Sequence, residues 1–329
     1  MTSLTRDTAV GAARRAAPAS GSRLPTGLTL AVVSAVSFGL SGALARGLFD
    51  GGWSPGAVTL VRVGLAAAVV APLGLFALRG RWWLLRRNAR LVLLYGSLAV
   101  AGAQFCYFSA IQHMQVGPAI LIEYTAPAAV VAWLWLRQGQ RPGRLTLVGA
   151  ALAAAGLVLV LDLLSGAELS SVGVLWALGA MVGCASHFVI SAQEDNGLPP
   201  LALAGGGLVV GATVLGVVAL VGLLPMAAAT GSASYAGHQL AWWQPVLALG
   251  LVTAAVAYVS GVAANRRLGS RLGSFVALLE VLASVCWAWL LLDELPGAAQ
   301  LVGGLLILAG VVAVKLGEPR VAAAEPTVA

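Results

Sequence analysis

From residue 26 to residue 315 the chain is a succession of apolar stretches, each about as long as a lipid bilayer is thick. They run near 26–48, 55–78, 90–110, 117–136, 144–163, 171–192, 200–223, 243–264, 272–292 and 297–315. About 20 residues at 1.5 Å each cross ~30 Å of hydrocarbon, and in lipid only helices or closed barrels satisfy their own backbone. With 60 % apolar residues and only 9 % charged, a soluble fold with a polar surface is excluded. The expected architecture is an all-α membrane protein of ten transmembrane helices.

Charge sets the expected orientation. All but two of the 19 Lys and Arg fall in the N-terminal tail, the 2–3, 4–5 and 8–9 loops and the C-terminal tail, while Asp50, Asp162, Glu168, Asp293 and Glu294 lie at the opposite ends of the spans. The positive-inside rule then places both termini in the cytoplasm. The net charge of +7 therefore reflects topology anchors, not a nucleic-acid surface. No apolar core precedes residue 26, so no cleaved signal peptide is expected. Residues 1–25 and 317–329 read as disordered cytoplasmic tails. Segment 224–241 has room at most for a short interfacial helix.

The two halves repeat. At an offset of 154 residues Trp133 aligns with Trp287, Trp135 with Trp289, Pro142 with Pro296, Gly143 with Gly297, Gly149 with Gly303 and Gly156 with Gly310. Spans 1–5 (26–163) and spans 6–10 (171–316) form two copies. Because five is odd, the second enters the membrane inverted. Inverted repeats are a recurring device of secondary transporters, whose halves exchange inward- and outward-open shapes.

Two ionisable groups interrupt the apolar runs at related places, Glu123 in span 4 and Glu280 in span 9. Each costs at least ~2.5 kcal/mol at membrane depth and therefore marks a solute or proton route. Helical rise puts Glu123 roughly 10 Å below the outer boundary and Glu280 roughly 12 Å above the inner one. Arg62 in span 2 matches the depth of Glu123: it either pairs with that acid, binds a substrate carboxylate or snorkels to headgroups. His187 in the inner half of span 6 is either a packing residue or, facing Glu280, part of a proton relay. Pro127 removes the backbone donor for the Glu123 carbonyl and predicts a bend, a candidate hinge. Gln104, Tyr107, Gln112 and Tyr124 could hydrogen-bond a small polar solute. Trp133, Trp135 and their repeat mates read as interfacial anchors. Gly207 and Gly211 form a GxxxG packing motif. Cys106, Cys184 and Cys286 lie singly, so free thiols and no metal site are expected. No P-loop is present.

The segment Ala110-Ile111-Gln112, Gly117 and Glu123-Tyr124-Thr125-Ala126-Pro127 resembles the drug/metabolite transporter superfamily of EamA type, in particular its threonine/homoserine exporter-like branch. The second copy keeps Leu279-Glu280 but has Val281 where relatives carry proline. The resemblance implies export of small metabolites, amino acids among them, through a central cavity walled by spans 1, 3, 4, 6, 8 and 9. The expected protein is a non-enzymatic secondary transporter of the plasma or inner membrane, with proton coupling or passive facilitation both open. A membrane enzyme acting on lipid is the competing class, disfavoured by the absence of clustered acids, His or metal ligands in the loops. No cofactor and no nucleic acid is expected. The partners are a small-molecule substrate and the lipid bilayer, with a homo-oligomer left open.

Overall fold

The computed structural model describes residues 23–111, 113, 114, 116–160, 170–293 and 295–317. Gln112, the acids Asp162, Glu168 and Glu294, and most of the two expected tails lie outside the described residues.

The first half contains α1 (Arg23–Asp50), α2 (Pro55–Ala77), the short α3 (Trp82–Arg87) and α4 (Ala89–Leu94). A π-helical segment, Tyr95–Gly102, runs on into α5 (Ala103–Ile111), followed by α6 (Val116–Glu123), α7 (Ala126–Gln138) and α8 (Arg144–Val160). The second half has α9 (Ser171–Ser191), α10 (Pro200–Leu220), a hairpin of β1 (Ser232–Tyr235) and β2 (His238–Ala241), and α11 (Trp243–Gly250). A second π segment, Leu251–Val256, leads into α12 (Ala257–Val276), then α13 (Leu279–Leu292) and α14 (Ala298–Gly317). Among the described residues eight helical segments are long and apolar enough to cross a membrane; Arg144–Val160 and Leu279–Leu292 are shorter apolar helices.

Two expected boundaries shift. Helix α1 begins at Arg23, inside the expected tail, and α14 runs through Gly317. The run Trp243–Val276 is a single 34-residue segment broken only at Gly269, whose φ of 77° and ψ of 165° are not helical. Glycine has no Cβ to oppose that conformation, so one residue does the work of the expected loop.

Segment 224–241 is not the expected interfacial helix. Its Ser-Ala-Ser-Tyr and His-Gln-Leu-Ala runs pair antiparallel with Tyr235 opposite His238, joined by Ala236 and Gly237, both at positive φ. That is the backbone a two-residue turn needs to match strand twist. Ala233 and Tyr235 are buried while Ser232 and Ser234 are exposed, the period of two that a helix reading misses. The Tyr235 hydroxyl donates to the Leu44 carbonyl at 2.6 Å, and burial together with the Asp50 carboxylate holds that phenol above its ordinary pKa. Trp53 Nε1 donates to the Ala229 carbonyl at 2.6 Å. The hairpin is thereby strapped across the ends of α1 and α2.

Glycines set the helix approaches. A Cβ on Gly149 would lie 2.6 Å from the Gly310 carbonyl, and one on Gly156 would lie 2.5 Å from the Gly303 carbonyl. Residue numbers rise along α8 as they fall along α14, so these two helices pack antiparallel. Gly207 and Gly211 on α10 receive the Tyr95 ring and Val100 of the first π segment, so the GxxxG motif packs within the chain. Small residues allow such backbone contact in lipid, where water expulsion supplies no drive.

Candidate functional site

Both intramembrane glutamates sit at interruptions of their helices. Helix α6 ends at Glu123, residues 124–125 form a turn, and α7 starts with Pro127 in its first turn. Proline suits that position because its missing N–H is unused there. The Thr125 hydroxyl donates back to the Ile122 carbonyl at 2.6 Å. In the second half α12 ends at Val276, residues 277–278 form a turn, and Glu280 lies in the first turn of α13. The Glu280 N–H donates to the Ala277 carbonyl at 2.8 Å and the Val281 N–H to the Leu278 carbonyl at 3.1 Å. This break forms without a proline. Helix α1 closes over it: a Cβ on Gly39 would lie 2.8 Å from the Glu280 carbonyl. The broken helices thus bring an acid from each half to opposite kinds of helix end, a C-terminus at Glu123 and an N-terminus at Glu280, where the backbone dipoles carry opposite partial charge.

The two carboxyls lie within electrostatic reach of each other. The Tyr124 hydroxyl lies near enough to Glu280 to interact with it, and the Tyr107 hydroxyl and the Cys184 thiol lie within electrostatic reach of both acids. Gln104 is half-buried on α5, one turn before Tyr107. Its expected companion Gln112 lies outside the described residues.

Arg62 is 8 % exposed, and the acid that faces it is Glu280. Equal depth with Glu123 was the only ground for expecting that pair, and depth carries no information about which way a helix face points. The guanidinium donates through Nη2 to the Thr253 carbonyl at 3.4 Å and stands 5.9 Å from the centre of the Phe38 ring. Its Nε is buried with no hydrogen-bond partner. A fixed arginine with a free donor beside an acid cluster is ready for a carboxylate.

His187 is not brought to Glu280. Its Nδ1 shares a 3.0 Å hydrogen bond with the Tyr95 hydroxyl, its ring packs on Phe188 and Tyr258, and its carbonyl accepts from Ser191 Oγ. Asn265 extends this polar layer by donating to Ser191 Oγ at 2.8 Å. The contacts of the ring are with Tyr95, Phe188 and Tyr258, which fits the packing alternative.

Sequence reasoning passed over Tyr258. Its ring meets Phe38 edge-on at 5.1 Å, and its hydroxyl lies within electrostatic reach of Arg62, Cys184 and both glutamates. The available signal was a tyrosine in mid-span, since a buried hydroxyl needs a polar neighbour. Trp287, read as an interfacial anchor, donates through Nε1 to the Val36 carbonyl at 3.0 Å, tying α13 to α1.

At the other end of α1 an open cleft of about 570 Å³ lies among Thr26, Glu194, Gly197–Pro200 and the pair Arg266 and Arg267. Arg266 donates to the Leu198 carbonyl at its wall. No group of three or more His, Cys, Asp or Glu suited to a metal occurs among the described residues, and the three cysteines are free.

Similarity to known proteins identifies the family. The EamA-like transporter family matches residues 25–162 and again residues 171–316. The threonine/homoserine exporter RhtA of Salmonella typhimurium (strain SL1344) is 29 % identical over 326 residues, covering 94 % of this chain and 98 % of that protein. The protein of the same name from Escherichia coli (strain K12) is 27 % identical, covering 89 % and 93 %. A solved structure described only as "Crystal structure of protein" shares the fold with a TM-score of 0.72 at 20 % identity, covering 90 % of this chain and 98 % of that one. The chain belongs to the EamA-like transporter family, as a multi-pass inner-membrane transporter and not an enzyme.

Proposed function

We propose that the protein exports a small zwitterionic metabolite, in the first instance an amino acid, by alternating access. What carries this reading is the pair of helix breaks that place Glu123 and Glu280, from opposite halves, within electrostatic reach of each other, with Arg62, whose Nε has no hydrogen-bond partner, within reach of Glu280. Acids can take an ammonium and a guanidinium a carboxylate, while the Tyr124, Tyr107 and Tyr258 hydroxyls supply orienting hydrogen bonds. The similarity to threonine/homoserine exporters supports the same class of solute.

The supporting architecture is ten spans with both termini cytoplasmic, residues 26–163 and 171–316 forming inverted halves. The break at Gly269 divides Trp243–Val276 between the eighth and ninth spans, and the shorter helices α8 and α13 complete the count. Antiparallel packing of α8 on α14 fits copies of opposite orientation. The cleft beside Thr26 and Arg266 then lies on the cytoplasmic side, and the hairpin strap outside.

Proton movement through the acid pair drives the exchange. The test is uptake of labelled amino acids into inside-out vesicles under an imposed pH gradient, for wild type, Glu123→Gln and Glu280→Gln at matched membrane levels. Gradient-dependent uptake lost in either variant supports the reading. Uptake that ignores the gradient but still needs both acids reduces the protein to a facilitator, and uptake unchanged in both variants removes the acids from the route.

A further inference from the structure

The two π segments are repeat mates. At the 154-residue offset Tyr95–Gly102 corresponds to residues 249–256, which contain the second π segment Leu251–Val256. A π turn holds one residue more than an α turn, so converting it to α rotates the helix beyond it by about 100° and moves it about 1.5 Å along its axis. Two such turns in matched places are two points at which the third and eighth spans can change register.

Each π segment is held by a side chain from the other half. His187, in the second half, holds the Tyr95 hydroxyl at the start of the first π segment, 3.0 Å away. Arg62, in the first half, holds the Thr253 carbonyl within the second at 3.4 Å. By helical rise Tyr95 lies ~9 Å and His187 ~6 Å from the inner ends of their spans, whereas Arg62 lies ~10 Å and Thr253 ~15 Å from the outer ends. The Tyr95–His187 contact thus lies on the cytoplasmic side of both acids, and the Arg62–Thr253 contact lies level with Glu123 and outside Glu280; both are closed here.

We infer that Tyr95 and Arg62 are positioning residues for transport, each latching a repeat-related π turn across the boundary between the halves, and that the inner and outer paths open when one latch releases at a time. Opening a path needs a discrete element with two arrangements that the halves can bias. The Tyr95–His187 bond gates the cytoplasmic side and the Arg62–Thr253 bond the outer side. This assignment rests on the alternating-access reading above.

Cys184, which faces both acids, is a native reporter of which side reaches the site. In protein carrying Cys106→Ser and Cys286→Ser, a membrane-impermeant maleimide would be added to inside-out and right-side-out vesicles, with denatured protein as the full-labelling reference. Tyr95→Phe is expected to raise the labelling rate of Cys184 at least fivefold from the cytoplasmic face and leave the outer rate unchanged. His187→Phe keeps a ring but no nitrogen and should give the same one-sided rise, and the double variant should add nothing further. Arg62→Gln should give the mirror result from outside. Unchanged rates, a rise from both faces alike, or additive effects in the double variant would overturn the latches. The labelling needs no transported solute, so loss of the latches is distinguishable from failure of the amino-acid reading, which the vesicle uptake decides.

Discussion

Gly149 and Gly310 close on each other backbone to backbone: a Cβ on either would lie 2.6 Å from the other's carbonyl oxygen. Their repeat mates, Gly303 and Gly156, make the reciprocal contact. A pair and its mates that exchange partners in this way mark a twofold relation, here internal to one chain.

Any side chain at these four glycines must push α8 from α14. Gly149→Ala and its mate Gly303→Ala are expected to destabilise by similar amounts, on the order of 1–3 kcal/mol. Gly216→Ala, where an added Cβ meets nothing within 4 Å, should be neutral or slightly stabilising. Thermal unfolding in detergent compares the three, and equal behaviour would mean that the glycine contacts do not set the packing.

The Tyr235 phenol makes one of the bonds that hold the hairpin strap, as the Trp53 indole makes another. Tyr235→Phe removes the donor to the Leu44 carbonyl at a cost of about 1 kcal/mol and should speed proteolysis of segment 224–241 in intact spheroplasts severalfold. Gly47→Ala, whose new Cβ would lie 2.5 Å from the Tyr235 ring, should do more. Protection equal to wild type in both would show that the strap is held elsewhere.

The Tyr124 hydroxyl lies close enough to Glu280 to interact with it, and on the proposed reading it orients that acid without carrying charge itself. Tyr124→Phe is expected to raise the KM of transport about 2–10-fold, the equivalent of one hydrogen bond of ~0.5–1.5 kcal/mol, while Glu280→Gln abolishes flux. Flux kinetics in vesicles check both, and a Tyr124→Phe variant as inactive as Glu280→Gln would make the tyrosine part of the route itself.

Arg62 should read the carboxylate of the solute. Arg62→Gln is expected to lose discrimination between an amino acid and its decarboxylated amine, and Arg62→Lys to retain part of it because the charge remains but the fork does not. Competition of amine against amino acid in the uptake assay is the measurement; discrimination surviving in Arg62→Gln would leave the arginine only its hold on Thr253.

Ten spans with cytoplasmic termini predict opposite accessibilities for single cysteines on a cysteine-free background. Gly231→Cys, beside the hairpin, should react with an impermeant reagent in whole cells, and Gly139→Cys, after α7, only once cells are opened. The reverse pattern would invert the topology.

Hydropathy was enough to define the all-helical membrane class, because the bilayer forces every backbone polar group into local helices and leaves the sequence to report mainly length and periodicity. Glu123 and Glu280 were legible for the same reason: an ion in hydrocarbon stands out. Azimuth and partner were not. Arg62 lies by Glu280, His187 bonds Tyr95 and Tyr258 joins the acids only because helices from opposite halves cross with particular faces inward. The break at Glu280 without a proline, the one-residue turn at Gly269, the hairpin at 232–241 and the paired π segments likewise come from tertiary packing, which selects among backbone forms that differ by only a few kcal/mol locally.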